Sequence, residues 1–199
     1  MIGIVDYGVG NLRSVQKAFG AVGYSALILS EARQIRGASK IVLPGVGAFG
    51  DAMDNLRKRS LLDPLVEAAG RGVPLLGICL GLQLFFEESE ELGVHKGLGI
   101  FRGRVRRFPP GLKVPHIGWN QIQVRRESAI LAGVPEGSFF YFVHSYYADP
   151  ADERDVQATT DYGIDYASVV GSETVFGIQF HPEKSQELGL RILRNFGDL

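Results

Sequence analysis

The sequence predicts an α/β fold: a single domain with a central, mostly parallel sheet flanked by helices and an antiparallel β extension in the C-terminal half. Two observations carry this reading. From residue 1 to about residue 92, short apolar runs alternate with loops and helical patterns, the rhythm of βαβ units and a parallel sheet. After that, β-like runs at 100–107, 119–126, 139–147, 155–160 and 166–170 follow one another across Gly, Pro and Asp turns, as antiparallel or mixed neighbours do.

Taken in order, residues 1–5 read as a buried strand. Asp6-Tyr7-Gly8-Val9-Gly10-Asn11 then turns into a helix that buries Leu12, Val15, Phe19 and Val22 until Gly23 stops it. Residues 25–29 read as a second strand and 40–43 as a third, which runs into Pro44-Gly45-Val46-Gly47-Ala48-Phe49-Gly50; helical patterns continue to Gly70. An apolar run at 73–78 reads as a buried strand, and 80–92 as a helix with its acidic residues near the far end. Residues 175–180 form a strongly apolar strand ended by His181-Pro182-Glu183. Ser185 is placed to N-cap a final helix carrying Leu188, Ile192, Leu193 and Phe196.

With 199 residues and no break in composition, one domain over 1–199 is expected, with a core of ordinary size and no linker. Apolar residues make up 45% and charged residues 22% of the chain, and the net charge of −1 offers no general attraction to nucleic acid or to an anionic membrane. A lone cysteine excludes an internal disulfide and any multi-cysteine zinc site, and suits a reducing, cytoplasmic setting. No secretory signal is expected at the N-terminus, and no apolar stretch is long enough to span a membrane.

That cysteine, Cys79, falls where the strand at 73–78 meets the helix expected at 80–92, with Gly77 and Gly81 placed symmetrically around it. A nucleophile elbow needs this pattern, because a strand and a helix approach so closely only where Cβ atoms are missing. The thiol would stand at the apex of the turn, at a helix N-terminus that favours thiolate. The bland alternative is a small buried hydrophobe. A cysteine nucleophile needs a base and a group to orient that base. His181 and Glu183 follow an apolar strand directly, at the sheet edge where α/β folds build their sites, and a carboxylate two residues from an imidazole can hold one ring nitrogen while the other faces the thiol. A solvated loop pair is the alternative there.

Residues 45–50 match GxGxxG literally, so a dinucleotide site has to be weighed. The first strand's loop, where such a fingerprint belongs, carries Arg13 in place of its third glycine. In a competing reading, backbone N–H groups of the 45–47 strip, among them Val46 and Gly47, join that of Leu80 in an oxyanion hole; a plain loop is the third. Arg102, Arg104 and Arg106 alternate along one strand face and read as a solvated face, with a surface for an acidic partner as the alternative. His144 reads as a hydrogen-bonded core residue and His95 as a loop residue. His116-Ile117-Gly118-Trp119-Asn120 reads either as a docking patch or as half-buried packing.

Gly-Ile-Cys-Leu-Gly-Leu-Gln at 77–83 together with Phe-His-Pro-Glu at 180–183 resembles the class I glutamine amidotransferases of the triad type. Segments 6–12, 44–49, 115–120, 141–146 and 181–185 are similar to one branch of that family, the glutaminase subunits that pass ammonia to a separate (β/α)8-barrel cyclase subunit in histidine biosynthesis. Leu82 stands where many relatives carry methionine or histidine. The resemblance implies L-glutamine as substrate, no metal or cofactor, Cys79 as nucleophile, His181 as general acid and base, and Glu183 as the residue that orients it. It further implies substrate contacts from Gln83, Glu91 and the backbone of Ser145 and Tyr146, and a partner-facing surface with Asn11, Trp119, Tyr141 and Lys184. A glutaminase subunit of another synthase, or a cysteine hydrolase of related fold, would share the same chemistry.

Overall fold

Short apolar strands pair into one large sheet. In the computed structural model, which describes residues 1–199, twelve strands form that sheet and two more form a separate antiparallel pair. The first half contains β1 (Ile2–Val5), β2 (Ala26–Leu29), β3 (Lys40–Gly45) and β4 (Leu75–Cys79). They are joined through α1 (Leu12–Ala21), α2 (Ala32–Arg36) and the consecutive helices α3 (Phe49–Lys58) and α4 (Leu62–Gly70). These strands lie parallel in the order β2-β1-β3-β4. β1, β3 and β4 are buried along nearly their whole length, as strands covered by helices on both faces must be. Helix α1 ends before Gly23, whose φ of +92° is the left-handed conformation that glycine adopts without steric cost.

The second half runs through α5 (Leu80–Gln83), β5 (Phe86–Ser89), β6 (His95–Lys96), β7 (Phe101–Arg107), β8 (His116–Gln121), β9 (Gln123–Val124), β10 (Phe139–His144), β11 (Tyr146–Pro150), β12 (Val156–Asp161), β13 (Asp165–Gly171) and β14 (Val175–Ile178). Helix α6 (Gln186–Asp198) closes the chain. β14 returns to lie parallel beside β4, and β13, β11 and β7 extend the sheet from it as antiparallel neighbours. Side chains alternate between the two faces. Ile4, Val42 and Ile78 join Phe19 and Phe196 in one core, whereas Val5, Leu43 and Leu75 join Phe49 and Leu65 in the other. Arg102, Arg104 and Arg106 all point to the exposed side of β7, and Arg106 pairs with Asp149 at 3.2 Å.

Three expectations are corrected. The helix expected over 80–92 stops at Gln83, and Phe86–Ser89 is a strand paired parallel with β7 and antiparallel with β6. Leu82, Leu84, Phe85 and Phe86 are all fully buried, a run too continuous to carry a helical period, and pairing with β7 decides the conformation. The acids do not end a helix: Glu87 accepts from the Gly103 N–H at 2.8 Å and Glu90 from the Arg107 N–H at 2.7 Å, both bonds tying the segment to β7. The run at 139–147 is two strands, broken at Ser145, where the chain leaves the β8 pairing and enters the main sheet beside β7 and β13. Ser185 holds the N-cap position of α6 without capping it. Its hydroxyl donates to the His181 carbonyl at 2.6 Å and accepts from the Tyr141 N–H at 3.0 Å, fastening β10 to the turn after β14.

Candidate active site

The parallel strands β3, β4 and β14 end side by side, and every loop that leaves them opens on the same edge. Cys79 is the last residue of β4 and lies opposite Gly45 of β3. Its φ of +55° and ψ of −111° are rare for a residue with a Cβ, the strained apex of a strand-to-helix turn. Gly81 makes the turn possible, because a Cβ there would stand 1.7 Å from the Leu43 carbonyl oxygen. One on Gly77 would stand 2.6 Å from Phe85 and 2.7 Å from the Gly81 oxygen. Helix α5 is only one turn long, so the helix dipole expected to favour thiolate is largely missing, and the charge on the sulfur depends on its neighbours.

Those neighbours come from the end of β14. His181 is buried, and its Nδ1 meets Glu183 Oε1 at 2.9 Å, with both side chains almost wholly shielded from water. Burial alone would lower the His181 pKa; the adjoining Cys79 sulfur and the Glu183 carboxylate outweigh it and raise the pKa to about 10. His181 Nε2 has no partner closer than the sulfur side of the site, and the second Glu183 oxygen is likewise unpaired. A protonated His181 is therefore the resting form that its neighbours favour.

Cys79, Leu80 and His181 border a cavity of about 290 Å³, the size of an amino acid, which Gln83, Glu91, Ser145 and Tyr146 line from the other side. Val46 and Gly47 form part of the same wall, Gly47 with φ +99°. Gly45 packs directly under α5, where a Cβ would meet the Tyr7 hydroxyl at 2.5 Å and Leu80 at 2.9 Å. The glycine strip therefore serves the edge of the Cys79 cavity, while Gly50 lies inside α3. Gln83, almost fully buried, donates through Nε2 to the Tyr146 carbonyl at 2.9 Å and to Gln179 Oε1 at 3.1 Å. Glu91 accepts from the Phe49 N–H at 2.7 Å, so one carboxylate reaches both the cavity and the start of α3.

Of the four residues expected to face a partner, Lys184 lines the cavity mouth, and its Nζ lies 5.6 Å from the centre of the Tyr141 ring. Tyr141 stands edge-on to the half-exposed Trp119 across the β8–β10 pair. Ile117 and Phe139, both more than half exposed, extend that apolar face. Asn11 is exposed at the start of α1 and makes no capping hydrogen bond there.

Three further residues support the site without having been among the expected site residues. Tyr7 is fully buried and donates to the Pro44 carbonyl at 2.9 Å, bracing the glycine strip, and burial together with the Cys79 charge raises its pKa so that the donor proton stays on. His144, expected in the core, is there with His116 as a partner. The His144 Nδ1 contacts the Tyr146 carbonyl at 2.8 Å and must carry the proton, leaving Nε2 to accept from Tyr166 or His116. Gln179 is the third. It is fully buried and lies two residues before His181, the alternation that brings both side chains to the sulfur's side of the strand end.

The family model for class-I glutamine amidotransferases matches residues 3–198. The imidazole glycerol phosphate synthase subunit HisH of Syntrophotalea carbinolica is 53% identical over 206 residues, with 100% of each chain covered. That of Moorella thermoacetica is 52% identical over 198 residues, covering 100% of this chain and 94% of its own length. The HisH of Aquifex aeolicus is 52% identical over 194 residues, covering 97% and 94%. Among solved structures, a glutamine amidotransferase superimposes with a TM-score of 0.77 at 20% identity over 98% of each chain, and PurLQS from Thermotoga maritima with 0.79 at 18% identity over 99% and 97%; both share the fold. With a match from end to end and relatives identical at about half their positions, the chain belongs to the class-I glutamine amidotransferases, in the group of imidazole glycerol phosphate synthase HisH subunits.

Proposed function

We infer that the chain is the glutaminase subunit of an imidazole glycerol phosphate synthase: it hydrolyses L-glutamine and delivers the ammonia to a cyclase subunit. That partner, a (β/α)8 barrel in this reading, makes imidazole glycerol phosphate and AICAR ribonucleotide in histidine biosynthesis. The observation that carries the inference is that Cys79 and His181, the latter bonded to Glu183, meet at one amino-acid-sized cavity in a chain about half identical to HisH subunits.

The Cys79 thiolate attacks the side-chain carbonyl carbon of glutamine. The N–H groups of Leu80 and of the Val46–Gly47 strip stabilise the oxyanion of the tetrahedral intermediate. His181, protonated at rest, gives its proton to the departing nitrogen as the C–N bond breaks, which releases ammonia and leaves a thioester on Cys79. The now neutral His181 takes a proton from water, hydroxide adds to the thioester carbonyl, and glutamate leaves as the thiolate re-forms. Glu183 holds the Nδ1 proton throughout and keeps Nε2 facing the chemistry. Glu91, the one carboxylate on the cavity wall, complements the substrate's α-ammonium. Gln83 spends both N–H groups inside the protein, so its carbonyl oxygen is left to receive a substrate donor.

Releasing ammonia without an acceptor wastes glutamine, so turnover awaits docking. The exposed Trp119 and Lys184 and the half-buried Tyr141 between them, with Asn11 on the loop after β1, form the surface proposed to receive the cyclase. Docking there reorients the strip at 45–47. Equal glutaminase rates for the free and the partnered chain would refute that coupling. The direct test is Cys79→Ala in the complex: glutamine-dependent synthesis is lost while synthesis from added ammonium persists. Survival of glutamine-dependent synthesis would overturn the assignment.

A further inference from the structure

We propose that Gln179 is a further catalytic residue, whose amide donates an N–H to the Cys79 sulfur and stabilises it as the attacking thiolate. The inference rests on Cys79 being the nucleophile, and the geometry that carries it begins at a group with no ambiguity. The Tyr146 carbonyl can only accept, so the end of the Gln83 amide that meets it at 2.9 Å is the NH2. That same NH2 faces the Gln179 amide at 3.1 Å, and the Gln179 atom it meets must therefore be the oxygen. The orientation of Gln179 follows: its NH2 points the other way, at Cys79 Sγ, 3.7 Å distant. A backbone carbonyl thus sets the direction of two buried amides in series and delivers a donor to the reacting atom.

Both amides are removed from water, Gln179 completely and Gln83 almost so, which makes such an orientation costly to reverse. Besides His181, the sulfur has the Val143 carbonyl as a polar neighbour at 3.9 Å, an acceptor that suits the S–H form. Gln179 is the counterweight, because a donor favours the charged form. With α5 only one turn long, the sulfur has little help from a helix dipole, and a fixed N–H supplies what that helix does not. His181 leaves this duty when its proton goes to ammonia; Gln179 carries no exchangeable charge and stays in place through the cycle, ready for the thiolate that re-forms when the thioester breaks.

The test uses the full chain in complex with the cyclase, iodoacetamide as a small neutral electrophile, and mass spectrometry to map the adduct across a pH series. Gln179→Met keeps the volume and removes the donor; Gln179→Glu keeps the shape and the bond to Gln83 but turns an acceptor toward the sulfur. The expected result is a rise of about one pH unit in the midpoint of Cys79 alkylation for Gln179→Met, with about a tenfold fall in kcat for glutamine and little change in KM. Gln179→Glu shifts the midpoint further in the same direction, and that shift alone tests the proposal if the methionine variant does not fold. An unchanged alkylation profile in folded variants, with the loss confined to KM, would overturn the proposal and leave Gln179 as a support for Gln83. A wild-type Cys79 that resists iodoacetamide while another residue takes the label would remove the nucleophile assignment and this inference with it.

Discussion

Replacing Gly81 by alanine measures how closely the turn at Cys79 must pack. The added Cβ would lie 1.7 Å from the Leu43 carbonyl oxygen and 2.8 Å from its carbon, both backbone atoms of the central strand β3. Real contacts of this kind do not fall below about 3.0 Å, so α5 or β3 has to retreat by about 1.3 Å. No flexible side chain can absorb the movement. Forcing a methyl into a packed backbone contact costs about 3 kcal/mol, which for a chain of this length lowers Tm by about 6–12 °C. The catalytic effect is larger in proportion, because Cys79 is two residues away on the same turn. A displacement of about 1 Å between nucleophile and substrate costs about a hundredfold in rate. Gly81→Ala is therefore expected to lose about two orders of magnitude in glutamine-dependent turnover of the complex, and to keep synthesis from ammonium. Gly70→Ala is the control: a Cβ there meets nothing within 4 Å, and the position lies in helix α4. A Gly81→Ala variant that melts like the wild type and turns over glutamine within about threefold of it would refute the close-packing account of the elbow.

Two further outcomes follow from the site's electrostatics. Burial lowers the His144 pKa to about 3 and that of His116 to about 4, so both stay neutral in the folded chain while their unfolded counterparts take up protons below about pH 6.5. Stability should therefore fall as pH drops from about 6.5, by about 2 kcal/mol at pH 5 for His144 alone, and His144→Asn, which keeps a donor toward the Tyr146 carbonyl, should flatten the slope seen in thermal melts. An equally steep acid slope in that variant would contradict the assignment. Glu91→Gln keeps an acceptor for the Phe49 N–H but loses the charge offered to the α-ammonium, so KM for glutamine should rise about tenfold with kcat nearly unchanged; steady-state kinetics showing the reverse split would assign Glu91 to the helix start alone.

The parts of the site that were legible in the sequence are those whose chemistry is local. Gly77 and Gly81 are readable from their symmetric placement about Cys79, although the clash that Gly81 avoids is with Leu43 of β3, and His181 and Glu183 are joined by one turn of backbone. The alternation of Phe101 and Val105 with arginines on β7 likewise showed which side faces water. What failed was set by distant partners. After Gln83 the buried Leu84, Phe85 and Phe86 follow one another directly and lead into glutamates, a pattern with no period to separate helix from strand, and pairing with β7 makes it β5. The break at Ser145 exists because β10 and β11 pair in different sheets, and nothing in residues 139–147 marks the change. Gln179 was hidden as one polar residue in an apolar run; its spacing of two from His181 was the available signal. The thiolate's helix dipole was an error of the same origin, since it depended on a helix that the sheet shortened to a single turn.

Every role assigned in the cavity depends on Cys79 being the group that attacks glutamine. Incubating the complex with a diazo-ketone analogue of glutamine and mapping the adduct by mass spectrometry tests this most directly. The predicted result is a single adduct on Cys79, prevented by excess glutamine, with glutamine-dependent synthesis abolished and ammonium-dependent synthesis intact. Inactivation with the label on any other residue, or full turnover of glutamine by a chain labelled at Cys79, would contradict it.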